Sequence, residues 1–190
     1  MFQWFESKEA FKRYVPRLKA LSLAAESWLL EAGRMKGWCG ACRQITTLRI
    51  VHPGGEGWCD LRENILCECG LNGRMREIVE ALNTVIQDSR AQKVLMFERV
   101  TPLFSKVQEQ YPFVEGCEFL GEDVPGGSLK NIQGTMVRSE NMLHLSYSEN
   151  SFDLVFHGDV LEHVSDTQAA LRECGRVLKP RGDAVHLPLF

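Results

Sequence analysis

Five of the seven cysteines fall between positions 39 and 69, and four of them form two close pairs. Cys39 and Cys42 are separated by 24 intervening residues from Cys67 and Cys69, in the order C-x2-C-x24-C-x-C. Two close pairs on turns supply four thiolates at tetrahedral geometry, which is how proteins hold structural zinc. We therefore predict a structural zinc site on these four cysteines. Cys59 is an alternative ligand, and a cluster of redox-active or free thiols is the competing interpretation.

A second group of reactive residue types lies in residues 151–166, "SFDLVFHGDVLEHVSD". Here a buried-looking strand is followed by His157, Gly158 and Asp159, and then by a segment that contains His163. Imidazole and carboxylate groups are the usual general acids and bases, and a glycine lets another group approach the backbone closely. The two histidines and Asp159 are the candidate catalytic residues, and His157 and Gly158 are also candidate ligand contacts.

The bulk composition is that of an ordinary globular protein. The chain has 190 residues, 44% of them hydrophobic, and a net charge of −3. This charge gives no general attraction to nucleic acid or to an anionic membrane. We find neither a run of about 20 apolar residues that would span a bilayer nor a signal peptide, so we expect a cytoplasmic protein. In that compartment clustered cysteines favour a metal over disulfides.

The sequence pattern predicts helices, then a cysteine module, then an α/β domain. Apolar spacing predicts a helix from about Lys8 to Gly33, which Pro16 should kink or split. After a second helix over 74–88, apolar strands alternate with helices, which favours a Rossmann-like parallel sheet of about five strands. The expected domains are a helical segment over 1–36, a zinc module over 37–73 and a Rossmann-like domain over 74–190.

Ligands of such sheets bind beyond the carboxyl ends of the strands, where the strand order reverses. The turn after the first strand contains Glu98 and Arg99, and Thr101 there is followed by Pro102, a typical helix start. The free N–H groups of a helix start can bind a carboxylate or a phosphate. We therefore include Glu98, Arg99 and Thr101 among the candidate binding residues.

The next two strands end in further polar residues. Glu118 follows the second strand and is the preferred acid for binding ribose hydroxyls, with Glu122 or Asp123 as alternatives. Glu140 and Asn141 follow the third strand and carry polar groups able to meet an adenine edge. These residues extend the candidate site along the same end of the sheet.

The residues from Asn141 to the end of the chain carry a family resemblance. The stretch "NMLHLSYSENSFDLVFHGDVLEHVSDTQAALRECGRVLKPRGDAVHLPLF" resembles the second half of a class I methyltransferase of the type-11 group, in motif order and in spacing. In addition, "WCGACRQ" and "ENILCECGLNGRMR" resemble the cysteine-rich front end of some bacterial methyltransferases. Together the two resemblances cover about residues 37–190.

The resemblance implies S-adenosylmethionine (SAM) as cofactor. It places Glu98 at the family's acidic position, Arg99 as a counter-charge to the methionyl carboxylate, and Glu118 at the ribose hydroxyls. Because methyl transfer depends mainly on alignment, a base is needed only for a hydroxyl or ammonium acceptor. His157, Asp159 and His163 are the candidates for that role. The expected function is therefore methylation of a small-molecule or glycan-like acceptor beside a structural zinc.

The chain departs from the family pattern at three places. The glycine-rich first loop is replaced by "VLMFERVTPLF", Arg181 replaces a glycine, and the chain ends on the fifth strand. A bare apolar edge invites pairing with another chain, so we expect a homodimer or a partner protein there, or else a fragment of a longer enzyme. The alternative functions are a catalytically degenerate subunit that needs a partner, and an enzyme that uses SAM without methylating.

Overall fold

The structure is a computed structural model that describes residues 7–51, 61–89 and 92–187. It divides into two compact units, Met1–Arg74 and Met75–Phe190. The finer boundary between a helical segment and a zinc module stays a prediction. Within the described residues no helix is both long enough and apolar enough to cross a bilayer.

The first unit begins with a long helix, α1, over Lys8–Ala32. The Ser7 hydroxyl caps it by accepting a hydrogen bond from the Ala10 N–H at 3.1 Å. It ends at Gly33, whose φ of +66° is the left-handed conformation of a helix C-terminus. Pro16 lies inside α1 and does not split it, because a proline removes only one intrahelical hydrogen bond and the residues on both sides can continue the helix.

The rest of the first unit is a small antiparallel sheet around the cysteines. Strands β1 (Arg34–Cys39), β2 (Gln44–Ile50) and β3 (Ile65–Cys67) lie in that order, and a single helical turn, α2 (Leu61–Asn64), precedes β3. In the register of the strands Leu48 is opposite Cys67. Leu48 is buried with Cys39, Cys67 and Leu71, so two of the cysteines form part of this small core.

The second unit is a helix-flanked sheet, and helix α3 (Gly73–Ser89) crosses the boundary into it. The elements that follow are β4 (Val94–Phe97), α4 (Pro102–Gln110), β5 (Val114–Glu118), β6 (Leu129–Ile132), β7 (Thr135–Ser139), β8 (Phe152–Gly158), a 3-10 helix (Leu161–His163), α5 (Thr167–Val177) and β9 (Leu178–Leu187).

The strand order is β6-β7-β5-β4-β8-β9. All neighbouring strands are parallel except the β6–β7 pair. The predicted Rossmann-like α/β fold is therefore confirmed. The chain moves from β4 outward to β5 and β7 and then returns to β8 on the other side of β4, so the strand order reverses beside β4.

The sheet has six strands in the described residues, and the expectation of about five missed β6. This edge strand is almost wholly exposed, so it has no buried side to give an apolar pattern. It joins β7 through Gln133 and Gly134, which have φ values of +48° and +88°. A two-residue turn with both φ values positive is the preferred hairpin connection, and the "QG" pair was the available signal.

The centre of the sheet is fully apolar. All four residues of β4 are buried, and so are Leu154, Val155 and Phe156 of β8. Strands covered on both faces read as continuous apolar runs, which is why these two were predictable from the sequence. They fix the carboxyl edge of the sheet from which the candidate site residues project.

Candidate functional site

The four predicted zinc ligands come together. The Sγ atoms of Cys39, Cys42, Cys67 and Cys69 all lie within 4.8 Å of one another. The Sγ atoms are 3.9 Å apart in the Cys39–Cys69 pair and 3.8 Å apart in the Cys42–Cys67 pair. Four sulfurs bound to zinc at about 2.3 Å lie about 3.8 Å apart at the corners of a tetrahedron. The donor set therefore fits a zinc ion, and Cys59 lies outside the described residues.

Two tight turns set this geometry. The Arg43 N–H donates to the Cys39 carbonyl at 2.7 Å, and the Gly70 N–H donates to the Cys67 carbonyl at 3.0 Å. Gly70 has a φ of +87°, a conformation that glycine adopts without steric cost. Each turn brings its two thiols to the same side of the backbone. Four sulfur ligands leave no open coordination position, which is the pattern of a structural site.

A second feature is an open cavity of about 230 Å³ in the α/β unit, at the carboxyl ends of its central strands. This volume lies just below the range of about 300–1,000 Å³ typical of small-molecule pockets. Its lining residues are Phe97, Glu98, Glu118, Phe119, Glu122, Glu140, Asn141, Met142, Leu143, Val160, His163, Val164 and Ser165. Five predicted site residues lie together in this cavity: Glu98, Glu118, Glu140, Asn141 and His163.

The residues that follow β4 and β8 have an unusual backbone conformation. Glu98 and Asp159 have φ values of +78° and +51°, a region in which residues other than glycine cost about 1–3 kcal/mol and which is found mainly at functional sites. Gly158 is the last residue of β8. A Cβ built on it would be 3.8 Å from Oε2 of Glu98. Asp159 and Gly158 are not among the cavity-lining residues.

The helix start after β4 forms as expected, but the side chains of Thr101 and Arg99 contact residues of the same turn and helix. The Thr101 hydroxyl accepts from the Phe104 N–H at 3.2 Å and donates to the Glu98 carbonyl at 2.9 Å. The Arg99 guanidinium lies 4.5 Å from the centre of the Phe104 ring. Arg99 lines a smaller, separate cavity with Ser105 and Thr135. The structure thus brings neither Thr101 nor Arg99 into the cavity wall.

Glu118, at the end of β5, lines the cavity and accepts a long hydrogen bond from the backbone. Its carboxylate accepts from the Val100 N–H at 3.4 Å. Burial raises the pKa of Glu118, and the backbone N–H groups of Val100 and Phe119 oppose that shift only partly. Glu122, one of the two alternatives to Glu118, also lines the cavity, whereas Asp123 does not.

Glu140 and Asn141 line the same wall but already have partners in the protein. The Glu140 carboxylate accepts from Nε of Arg138 at 2.7 Å, from the Ser146 hydroxyl at 2.6 Å and from the Ser146 N–H at 2.8 Å. Oδ1 of Asn141 accepts from the Leu143 N–H at 2.9 Å. Glu140 is buried to 1% exposure. Both side chains therefore hold the loop after β7 in position.

The two candidate histidines lie in different environments. His163 is exposed, ends the 3-10 helix and lines the cavity. His157 is completely buried within β8, with its ring edge-on to Phe97 at 6.3 Å between centroids. Of the two, only His163 has its side chain in the cavity wall.

Sequence reasoning did not identify the apolar part of the cavity. Phe119, Met142, Leu143, Val160 and Val164 supply it. All of them lie one to six residues beyond the end of a strand, so the available signal was their position after a strand. Apolar walls with a few polar groups are usual in small-molecule sites.

The sheet defines a class of fold, a Rossmann-like α/β domain, and the cysteine cluster lies in the other unit. Residues 114–186 match the family model described as a methyltransferase domain. This match confirms the resemblance predicted from the sequence. It begins at β5 and therefore leaves the unusual Glu98 turn outside it.

Several solved structures are similar to part of the chain. One, from Galdieria sulphuraria, is described as a sarcosine dimethylglycine methyltransferase, with 17% identity and a TM-score of 0.45 over 60% of this chain and 48% of that one. The YcgJ protein from Bacillus subtilis has 20% identity and a TM-score of 0.40, covering 56% and 49%. A protein described as a methyltransferase, from Bacillus halodurans, has 17% identity and a TM-score of 0.39, covering 55% and 49%.

The chain thus spans about half the length of these structures. No curated protein matches the chain.

Proposed function

We propose that the protein is a SAM-dependent methyltransferase that acts on a small-molecule or glycan-like acceptor. The observation that carries the proposal is the cavity beside β4, where the strand order reverses within a methyltransferase-type domain. Ligands of open α/β sheets bind at this position. The cavity joins two acids from adjacent strands, Glu98 and Glu118, to an apolar wall, which suits a cofactor with hydroxyl groups and a flat base.

The bound cofactor would supply an activated methyl group. Glu118 would accept hydrogen bonds from the two ribose hydroxyls, which its place at the end of β5 and its sparse bonding support. Phe119, Met142 and Leu143 would cover the adenine face and exclude water from it. Glu98 would hold the amino end of the cofactor, with its carboxylate beside Gly158. His163, exposed at the cavity, would take a proton from a hydroxyl acceptor.

The test is a calorimetric titration of the zinc-loaded chain with SAM and with S-adenosylhomocysteine. We expect micromolar binding, about −8 kcal/mol. Glu118→Gln keeps the size of the side chain but is a poorer acceptor, so it should weaken binding roughly tenfold. Glu115→Gln, an exposed position on the same strand that does not line the cavity, is the matched control. Absence of binding at millimolar ligand to a folded chain would contradict the proposal.

The zinc would be structural, holding three short strands that bury few large side chains. We expect one zinc per chain by atomic absorption, and chelation should unfold the first unit. Cys39→Ser or Cys67→Ser should lose the metal, because both thiols are buried in the cluster. Cys59→Ser should keep it. Loss of zinc in Cys59→Ser with retention in Cys69→Ser would show that Cys59 replaces Cys69.

A catalytically degenerate subunit is the second candidate, and one observation favours it. The polar side chains of Thr101, Glu140 and Asn141 are already engaged within the protein, and the first loop has Glu98 at positive φ where the family has glycines. Such a subunit would pair with a second copy or another protein along β9, which is an edge strand in the described residues. The remaining alternative is an enzyme that uses SAM without methylating. Analysis of the reaction products would distinguish it from a methyltransferase.

A further inference from the structure

Helix α1 carries a stripe of residues on a regular seven-residue spacing, and three of them, Leu21, Ala25 and Trp28, are exposed. Tyr14, Leu18, Leu21, Ala25 and Trp28 follow one another at intervals of four, three, four and three residues. This is the spacing of the seam along which two helices pack in a coiled coil. Leu21 is 59% exposed and Trp28 is 64% exposed, and large apolar side chains with that exposure usually mark an interaction site when they line up.

The stripe is distinct from the side of α1 that packs within its own unit. Leu29 is buried in a cluster with Ile50, and Leu30 packs against that cluster. On a helix with about 3.6 residues per turn, Leu21 and Trp28 are two turns apart and lie on one line. Leu29 and Leu30 lie further round the helix. The fold of the first unit therefore uses one side of α1 and leaves the other exposed.

The sequence of the stripe is complementary to itself when two copies run in opposite directions. In an antiparallel pair centred between Leu21 and Ala25, each Leu21 faces Ala25 of the second copy. Each Tyr14 then faces Ala32. Large residues thus meet alanine in these layers, which is how helix pairs interdigitate without voids. An interface in which the same patch pairs with itself is the usual basis of a two-fold dimer.

The charges beside the stripe agree with the same pairing. Arg17 and Glu31, both exposed, each precede a seam position by one residue. In the antiparallel arrangement Arg17 of one chain lies opposite Glu31 of the other, and symmetry produces this ion pair twice. Ala24 lies on the same flank of the seam as Arg17 and Glu31 and is beside its own copy near the centre, where a small side chain permits close approach. A parallel pair would not bring Arg17 and Glu31 together.

We propose that the protein forms a homodimer through antiparallel packing of α1, along the stripe of Tyr14, Leu21, Ala25 and Trp28, with Arg17 paired to Glu31 of the second copy. This surface belongs to the first unit, whereas the edge strand β9 and the cavity belong to the second. The inference does not depend on SAM binding or on the zinc.

Sedimentation equilibrium of the zinc-loaded chain over a wide concentration range tests the proposal. We expect a monomer–dimer equilibrium that Leu21→Glu with Trp28→Glu abolishes, with zinc content and circular dichroism unchanged because both side chains are exposed. A wild-type chain that stays monomeric at the highest concentration would overturn the proposal. So would a dimer that this double variant does not weaken, which would direct attention to β9.

Charge reversal tests the direction of the helices. Arg17→Glu and Glu31→Arg should each weaken the dimer roughly tenfold, because each change places like charges together twice. The two changes combined should restore most of the affinity. Lys12→Glu, an exposed reversal of the same sign that lies before the paired region, is the matched control. Failure of the combined variant to recover would overturn the antiparallel pairing.

Discussion

Arg176 and Glu173 form a two-nitrogen ion pair across one turn of α5. Nε and Nη2 of Arg176 donate to the two carboxylate oxygens of Glu173 at 2.9 and 2.8 Å. The same guanidinium donates to the carbonyls of Tyr147 and Leu145, at 2.9 and 2.8 Å. The Leu145 N–H in turn donates to Glu173 at 3.0 Å. The pair therefore fastens the loop between β7 and β8 to α5.

Arg176→Ala should destabilise the second unit by about 2 kcal/mol. Arg176 donates charge-assisted bonds to two backbone carbonyls, and the change leaves both without that donor. Arg176→Lys should recover only part of the loss, because an ammonium group cannot reproduce the planar fork. Urea unfolding followed by fluorescence measures the effect, with Arg172→Ala, exposed on the same helix, as control. Equal stability of the Arg172 and Arg176 variants would contradict the role assigned to this pair.

Asp153 makes a pH-dependent link between β8 and β9. Its carboxylate accepts from Nζ of Lys179 at 2.8 Å and from the Lys93 N–H at 2.9 Å. The hydrogen bond from Lys179 is the main cause that lowers the pKa of Asp153. Asp153→Asn should cost about 1 kcal/mol near pH 7. Lys179→Ala should cost less, because the lysine is 43% exposed and the backbone bonds remain.

The sign of the pH effect follows from that lowered pKa. The stabilisation is complete above the unfolded pKa of Asp, about 3.9, and it is lost as the pH falls through the lower folded pKa. The stability difference between wild type and Asp153→Asn should therefore be constant at neutral pH and shrink below about pH 4. Denaturant midpoints at several pH values measure it. A difference that grows on acidification would contradict the assignment.

Two glycines in the strands on either side of β4 should respond differently to alanine. A Cβ on Gly116 would lie 2.3 and 2.5 Å from the Phe104 ring and 2.4 Å from Cδ of Arg99. Gly116→Ala should therefore destabilise the unit by about 1–3 kcal/mol. A Cβ on Gly158 would meet its nearest neighbours at 3.8 Å, an ordinary contact, so Gly158→Ala should fold normally.

If the cofactor approaches the backbone at Gly158, Gly158→Ala should weaken SAM binding while its melting temperature stays that of wild type. Calorimetry and thermal unfolding of both variants separate the two effects. Unchanged affinity in Gly158→Ala would show that the cofactor does not approach this backbone.

The sequence predicted those features that depend mainly on neighbouring residues. Buried parallel strands such as β4 and β8 read directly as apolar runs, and the cysteine spacing was enough to predict the cluster. Contacts between segments that are distant in the sequence could not be predicted from it. Glu173 and Arg176 lie within the stretch that resembles a methyltransferase, but the carbonyls that Arg176 binds lie some 30 residues earlier in the chain. Likewise, nothing local indicates that His157 is buried in its strand while His163 reaches the cavity.

Arg181 provides a test of backbone strain at a position where the family pattern has glycine. Its φ is +69°, a conformation that costs a residue with a Cβ about 1–2 kcal/mol. Arg181→Gly should relieve this cost, and the greater freedom of glycine in the unfolded chain should offset part of it. We expect a net gain of roughly 0.5 kcal/mol in thermal or urea unfolding. The adjacent Gly182 should behave oppositely, because a Cβ there would lie 3.0 Å from the carbonyl oxygens of Asp153 and Lys179, so Gly182→Ala should be destabilising. Loss of stability in Arg181→Gly would show that the arginine side chain contributes more than its backbone strain costs.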